Sequence, residues 1–242
     1  MRSFINRLEV SPVAARVGPF VVFAALTVCQ GKFGEASRYW FYFGKILVGG
    51  WLIWLVRPLV AEMKWKCSWE AVLVGVAVFA MWVGIDDFYP PLDRVLDRLL
   101  AYMGLAKSKS GAELASEGWN PHTQFGQDSV LAWMLIGVRL LGSSMVVPPL
   151  EEVFYRSFLY RYVLKPDFQS VPLGRFAWTP FVVISVLFGI SHREWLAGIL
   201  CGLTYQGLVC WKKRLGDAMT AHAITNFLLG LWVIWRGTWH FW

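Results

Sequence analysis

Three short motifs place ionisable or amide side chains inside stretches that are otherwise apolar enough for a membrane. They are Glu151-Glu152-x-x-x-Arg156, Phe188-x-x-x-His192 and His222-x-x-x-Asn226. Charged groups cost several kcal/mol in hydrocarbon, so they persist there when they face a protein interior or a watery cavity. Carboxylates, histidines and an asparagine can supply a base that takes a proton from water and N–H donors that stabilise an oxyanion. The three motifs together therefore indicate a hydrolytic site.

The first motif has a spacing that separates its two carboxylates. Residues four apart share one face of a helix, so Glu152 can pair with Arg156. Glu151 lies about 100° around the same helix and is expected to face a cavity. A purely structural role is also open, in which the Arg–Glu pair clamps a helix end.

The second and third motifs repeat this four-residue spacing. Phe188 and His192 share a face at the end of an apolar stretch, where a histidine can simply sit at the membrane interface. His222 and Asn226 share a face inside the last apolar stretch, where they could bridge helices through hydrogen bonds. Each motif alone is weak, whereas their order on separate apolar helices favours a common site.

The composition indicates an all-α, polytopic transmembrane helical bundle. The chain has 242 residues, 57% of them apolar and 16% charged, and soluble domains usually carry about 25% charged residues. Its formal charge of +7 is the excess expected from basic residues at cytoplasmic helix ends, so we expect no nucleic-acid partner. None of its four cysteines forms a CxxC pair, which argues against a disulfide framework or a zinc knuckle.

Apolar runs long enough to be membrane helices recur along the chain. Seven spans are predicted, or eight if the helix that opens with the glutamates is counted, with Pro148-Pro149 breaking the helix before it. The predicted runs are Val17 to Cys29, Tyr39 to Val60, Trp69 to Ile85, Val130 to Val147, Leu150 to Leu164, Phe176 to Ser191, Trp195 to Trp211 and Ala218 to Trp235. We divide this single membrane domain into amino-terminal helices, 1–129, and a catalytic core, 130–242.

Charge asymmetry predicts the orientation in the membrane. The polar stretch from Asp86 to Ser129 carries seven acidic and four basic residues, whereas the other loops are mostly basic. Basic loops stay in the cytoplasm, so the amino terminus is predicted to be cytoplasmic and the acidic stretch external. Leu92 to Met103 is predicted to be a helix that lies on the membrane surface or is packed over it.

The ordered motifs resemble the CPBP family of intramembrane proteases, over roughly Val130 to Trp235. That family includes the type II CAAX prenyl endopeptidase and the Abi and bacteriocin-immunity proteins. The resemblance implies an intramembrane glutamic endopeptidase that needs no metal or other cofactor. Its partners would be membrane lipid and a membrane-associated peptide or protein substrate.

The resemblance also assigns roles to the motif residues. Glu151 and His192 would activate water, and His222 and Asn226 would stabilise the oxyanion. The supporting residues, which shape the site, are Glu152, Arg156 and Phe188. Ser157 departs from the family pattern, because a glycine commonly follows the arginine.

The run from Pro148 to Tyr162 further resembles a bacterial branch associated with exosortase protein-sorting systems. That branch implies a bacterial inner-membrane protein that acts with a sorting system.

Two other readings remain open. One is a non-catalytic membrane protein, either an immunity factor or a protein-sorting scaffold. The other is a zinc-dependent membrane hydrolase, a metalloendopeptidase whose ligands would be Glu151, His192 and His222. Neither HExxH nor GxSxG occurs, and Ser143-Ser144 read as small helix-packing residues rather than a nucleophile.

Overall fold

A computed structural model of the chain describes residues 11–105 and 118–242. All the regular elements in these two ranges are helices, which confirms the all-α class. The α-helices are α1 (Pro12–Val28), α2 (Ser37–Val56), α3 (Trp69–Gly84), α4 (Leu92–Tyr102), α5 (Pro121–Phe125), α6 (Val130–Met145), α7 (Val147–Glu152), α8 (Tyr160–Leu164), α9 (Trp178–Ile190), α10 (Trp195–Lys212) and α11 (Gly216–Arg236). A π-helical segment, Val153–Leu159, joins α7 to α8.

The predicted runs all become helices, but the predicted number of membrane crossings is not confirmed. In the described ranges three helices are long and apolar enough to cross: α2, the continuous rod Val130–Leu164 of 35 residues, and α11. The pair Trp69–Gly84 and Asp86–Tyr102, bent by 42°, would make a fourth. A crossing needs about 20 residues, whereas α1 has 17 and α9 has 13. The protein is therefore an integral membrane protein, and its described residues contain three or four candidate spans.

The α-helix is interrupted next to the proline pair, as predicted, but this interruption does not end the rod. The α-helical geometry changes at Val146, and α7 begins at Val147 with a proline in its first turn. Proline is tolerated there because the first N–H groups of a helix have no intrahelical partner. The rod from α6 to α8 is consequently a single long element with Glu151 near its middle.

The segment after the glutamates is π-helical rather than α-helical, which also differs from the prediction. Residues Val153–Leu159 wind with this wider geometry and return to α at Tyr160. Such bulges occur frequently at functional sites. The Glu152–Arg156 pair still forms within it, because both side chains stay on one side of the rod.

Close helix contacts fix the elements that carry the second and third motifs. A Cβ added to Gly198 of α10 would lie 2.8 Å from the Cα of Gly189 on α9. A Cβ added to Gly75 of α3 would lie 2.7 Å from the carbonyl oxygen of Ala221 on α11. Only glycine permits these distances, so α9–α10 and α3–α11 pack backbone to backbone and hold His192 and His222 in place.

The structure describes only some of the residues whose charges predict the orientation in the membrane. Leu92–Tyr102 is helical as expected, and its place on the membrane surface stays a prediction. Several charges used for the orientation lie outside the described residues: Arg2, Arg7, Lys107, Lys109, Glu113 and Glu117. The cytoplasmic amino terminus also stays a prediction, as does the division at residue 129.

Candidate active site

One cavity of about 630 Å³ receives side chains from all three motifs. Glu151, His192, His222 and Asn226 all line it. Glu151 and His192 are 41 positions apart in the sequence, so the fold brings them together. The side chains of the three motifs therefore meet in one cavity, as their sequence pattern predicts.

Glu151 is the carboxylate that faces the cavity. Its Oε2 is buried and has no hydrogen-bond partner among the described residues. His222 Nε2 lies 4.0 Å from that oxygen. An unpartnered carboxylate oxygen in a cavity is a place where a water molecule can be bound and deprotonated.

Glu152 turns the other way and is fully buried. Its Oε2 forms an ion pair with Arg156 Nε at 3.3 Å, and its Oε1 accepts a hydrogen bond from His222 Nδ1 at 2.9 Å. The Arg156 guanidinium lies over the Phe188 ring at 4.2 Å. The two adjacent glutamates therefore have separate environments, as their helical positions predicted, and Phe188 supports the arginine.

The hydrogen bond to Glu152 determines which proton His222 can offer. An ionised carboxylate only accepts, so Nδ1 carries the hydrogen. Nε2, which faces Glu151, then has a free lone pair in the neutral imidazole and an N–H only in the imidazolium form.

His192 is held in the tautomer whose Nε2 can accept a proton or a hydrogen bond. Its Nδ1 lies 2.8 Å from the carbonyl oxygen of Phe188, one turn back along the chain. A carbonyl only accepts, so Nδ1 carries the hydrogen and Nε2 keeps its lone pair. The ring also packs edge-on against Trp82 at 5.7 Å between centroids. This orientation suits a base.

Asn226 lines the cavity, but one of its donors is already in use. Its Nδ2 donates to the carbonyl oxygen of Ser143 on α6 at 2.9 Å. The amide has a second N–H, so a single donor remains for an oxyanion. The bond also ties α11 to α6 beside the site.

A network that the motifs did not reveal surrounds Ser157. Glu62, in the loop after α2, accepts hydrogen bonds from Arg16 Nε at 2.9 Å, from Arg161 Nη2 at 2.9 Å and from the Ser157 hydroxyl. The serine that departs from the family pattern thus contributes a bond that glycine could not make. The partners are 46, 99 and 95 positions from Glu62, so no local spacing could have predicted them.

The amino-terminal helices also contribute to the cavity, although they carry no motif. Phe20, Phe23 and Thr27 of α1 line it, and so do Tyr42 and Lys45 of α2. In α1 these positions recur at helical spacing. Nearly every residue of that helix is apolar, so the sequence does not distinguish the face that meets the cavity.

The zinc alternative gains no support from side-chain positions. Within residues 11–105 and 118–242, no group of three or more His, Cys, Asp or Glu residues could hold a metal ion. Glu151, His192 and His222 share the cavity without forming such a ligand set.

Comparison with known proteins gives one match. Residues 132–228 match the family model described as Type II CAAX prenyl endopeptidase Rce1-like. No curated protein and no solved structure matches the chain. The matched range contains all three motifs, which confirms the resemblance that they indicated.

Proposed function

We propose that the chain, whose residues 132–228 match the family model of Rce1-like type II CAAX prenyl endopeptidases, is a metal-free intramembrane endopeptidase. Its substrate would be a membrane-associated peptide or protein. The observation that carries the proposal is the buried, unpartnered Oε2 of Glu151 in a cavity shared with two histidines.

The chemistry follows from the acceptor atoms in the cavity. Glu151 takes a proton from water as the water oxygen attacks the scissile carbonyl carbon, and the carbonyl electron pair moves to its oxygen. His192 Nε2 is the second acceptor and holds the water in place. When the intermediate collapses, the C–N bond breaks and the amine leaves with the proton that Glu151 received. General base catalysis of this kind contributes about 10²–10⁴-fold.

The oxyanion is stabilised by His222 and Asn226. His222 can offer Nε2–H only as an imidazolium, since its other nitrogen donates to Glu152. Glu152 is therefore a positioning residue, which orients the ring. The free N–H of the Asn226 amide supplies the second donor. Both groups lie on one face of α11, four residues apart.

The test is cleavage of quenched-fluorescent, lipid-tethered peptides by the purified protein in nanodiscs. Glu151→Gln keeps the side-chain shape but has no base, so cleavage is expected to disappear. Glu35→Gln, at an exposed position between α1 and α2, is the matched control and should cleave normally. Equal cleavage by Glu151→Gln and the unaltered protein would rule out the role of Glu151.

The same preparation separates the alternatives. A metal-free enzyme should contain no stoichiometric transition metal and should resist chelators. One zinc per chain, with activity lost on chelation and restored by zinc, would support the metalloendopeptidase instead. Binding of a partner protein without cleavage of any peptide would support the immunity or sorting-scaffold function.

We also propose that the protein resides in a bacterial inner membrane, with its amino terminus in the cytoplasm. The basic loops support this orientation. The exosortase-associated branch rests on the run from Pro148 to Tyr162, and a sorting-system partner is part of the same proposal.

A further inference from the structure

The connecting segments of the bundle gather at two ends, and one of these ends is strongly basic. Residues 57–68, 165–177 and 213–215 meet there. Thr220, near the start of α11, donates to the carbonyl oxygen of Lys66 at 3.0 Å, and a Cβ added to Gly174 would lie 3.0 Å from the Cα of Lys213. These three segments, which we call the basic end, contain two acidic residues and seven basic ones: Arg57, Lys64, Lys66, Lys165, Arg175, Lys213 and Arg214.

The opposite end is formed by residues 85–91, 191–194 and 237–242, which follow α3, α9 and α11. The N–H of Leu92 donates to the carbonyl oxygen of Arg193 at 2.9 Å, and His240 Nε2 lies 2.9 Å from Asp86 Oδ2. These segments contain three acidic residues and one arginine. Helix α11 runs from the basic end to residues 237–242 and is long and apolar enough to cross a membrane. The two ends therefore lie on opposite sides of the membrane.

The catalytic cavity reaches the opposite end. Arg193, Glu194 and His240 line both this cavity and a second pocket of about 660 Å³. The exposed residues Arg94 and Arg98 are part of the wall of that second pocket. We call the three shared residues the mouth, because they connect the cavity to the surface. His192 directly precedes Arg193, so the proposed base lies just inside the mouth.

The basic end, in contrast, is separated from the cavity by packed side chains. Residues 57–68, 165–177 and 213–215 contribute nothing to its wall. Phe154, three residues after Glu151, stacks on Phe20 with 4.1 Å between ring centroids. Behind this pair, Glu62 binds both Arg16 and Arg161, and all three side chains are almost fully buried. In the described part of the chain, the cavity therefore opens toward the opposite end and not toward the basic end.

We propose that the cavity opens on the non-cytoplasmic side of the membrane, so that the protein cleaves membrane-anchored substrates whose scissile segment has been exported to that side. Basic loops stay in the cytoplasm, which places the mouth on the other side. The inference rests on the proposed endopeptidase function and on the proposed orientation. Hydrolysis consumes one water molecule for each bond cut, and the charged mouth connects Glu151 to water on the same side as the substrate.

Thiol accessibility tests the side on which the cavity opens without requiring activity. Native Cys29, Cys201 and Cys210 are replaced by alanine, and Cys67, exposed at the basic end, is retained as the cytoplasmic marker. Ser143→Cys then places a thiol in the cavity wall. The matched control is Ser144→Cys, because Ser144 is 4% exposed and does not line the cavity.

Each variant is treated with a small membrane-impermeant thiosulfonate, in spheroplasts and in sealed inside-out vesicles. Modification is measured as loss of later maleimide labelling in denaturant. We expect Ser143→Cys to be modified in spheroplasts, Cys67 only in inside-out vesicles, and Ser144→Cys in neither. Ser191→Cys, at an exposed position of the cavity wall, is the second reporter if Ser143→Cys fails to fold. Modification of the cavity thiols from the side of Cys67, or from neither side, would overturn the proposal.

A cleavage assay tests the side from which the substrate enters. The quenched-fluorescent, lipid-tethered peptides are added to the same two preparations, and Glu151→Gln corrects for host proteases. We expect cleavage in spheroplasts and its loss in sealed inside-out vesicles. Equal or faster cleavage in inside-out vesicles would contradict entry from the non-cytoplasmic side. If the purified protein cleaves no peptide, the proposed function fails, while the thiol result still decides where the cavity opens.

Discussion

His222 contacts both glutamates of the first motif through different nitrogens. Nδ1 is 2.9 Å from Glu152 and Nε2 is 4.0 Å from Glu151. The spacing of EExxxR predicts that the two carboxylates face different directions, and the structure agrees. That spacing says nothing about His222, which is 70 positions from Glu152. At the residue scale, a local motif predicts which groups face the same way, but the fold decides which groups meet.

Glu152→Gln should destabilise the protein more than Glu151→Gln. Glu152 is fully buried and compensates Arg156 while it accepts from His222. Removal of one member of a buried pair typically costs about 3–5 kcal/mol, because the other charge remains buried. Thermal unfolding in detergent, followed by circular dichroism, measures the difference. Equal melting temperatures for the two variants would show that Glu152 does not compensate the buried charge of Arg156.

Asn226→Ala should lower kcat by about 10²–10³, the usual effect of removing one oxyanion donor. KM should change little, because the oxyanion exists only after the water attacks. The variant also loses the bond to Ser143, so its melting temperature must be measured alongside. A rise in KM with kcat unchanged would place Asn226 in substrate binding and not in oxyanion stabilisation.

At the scale of elements, helix positions were predictable and helix types were not. Continuous apolar runs mark where α1, α2 and α11 lie, because hydrophobicity determines them. The π-helical segment Val153–Leu159 has no equivalent signal, since its geometry depends on what it packs against. Its inner face meets the Glu62 network through Ser157, a contact between distant parts of the chain.

Glu62→Gln should therefore weaken the anchoring of this segment. Arg16 and Arg161 both use Glu62 as a counter-ion, and their side chains are 4% and 8% exposed. Stranding two buried guanidinium groups should cost at least the roughly 3–5 kcal/mol of a single broken buried pair. Glu70→Gln is the comparison. Glu70 also pairs with a cation, Lys212, at 2.8 Å but is more exposed, and an ion pair near the surface contributes much less to stability than a buried one. Similar losses of melting temperature in both variants would contradict the prediction.

At the scale of the whole molecule, the sequence predicts a helical membrane protein but not its number of crossings. Composition alone is sufficient for the first conclusion. The second depends on how long each helix is and how far it bends, as the 42° bend after α3 illustrates. The cavity is likewise a property of the whole bundle, because α1 and α2 form part of its wall without any motif of their own.

The protonation of Glu194 makes the stability of the folded bundle depend on pH. It lies in the turn between α9 and α10, is 8% exposed, and lines the cavity together with Arg193 and His240. The pKa of Glu194 is raised from 4.5 to about 7, with burial as the largest cause. The charge of Asp86 also acts to raise this pKa, while the backbone hydrogen bond, Arg193 and His240 act to lower it. The folded protein therefore holds a proton on Glu194 over a pH range in which the unfolded chain has lost it.

The sign of the pH effect follows from that difference. Below pH 4.5 both states are protonated and Glu194 costs nothing, whereas between pH 4.5 and about 7 the folded state is progressively penalised relative to the unfolded state. With about 1.4 kcal/mol for each pKa unit, the penalty above pH 7 is on the order of 3 kcal/mol. Glu194→Gln has no proton to lose, so its melting temperature should exceed that of the unaltered protein at pH 8 and approach it at pH 4.5. Melting curves at these two pH values give the answer, with Glu35→Gln as the exposed control. If the melting temperatures of Glu194→Gln and the unaltered protein differ by the same amount at both pH values, the pKa of Glu194 does not change on folding.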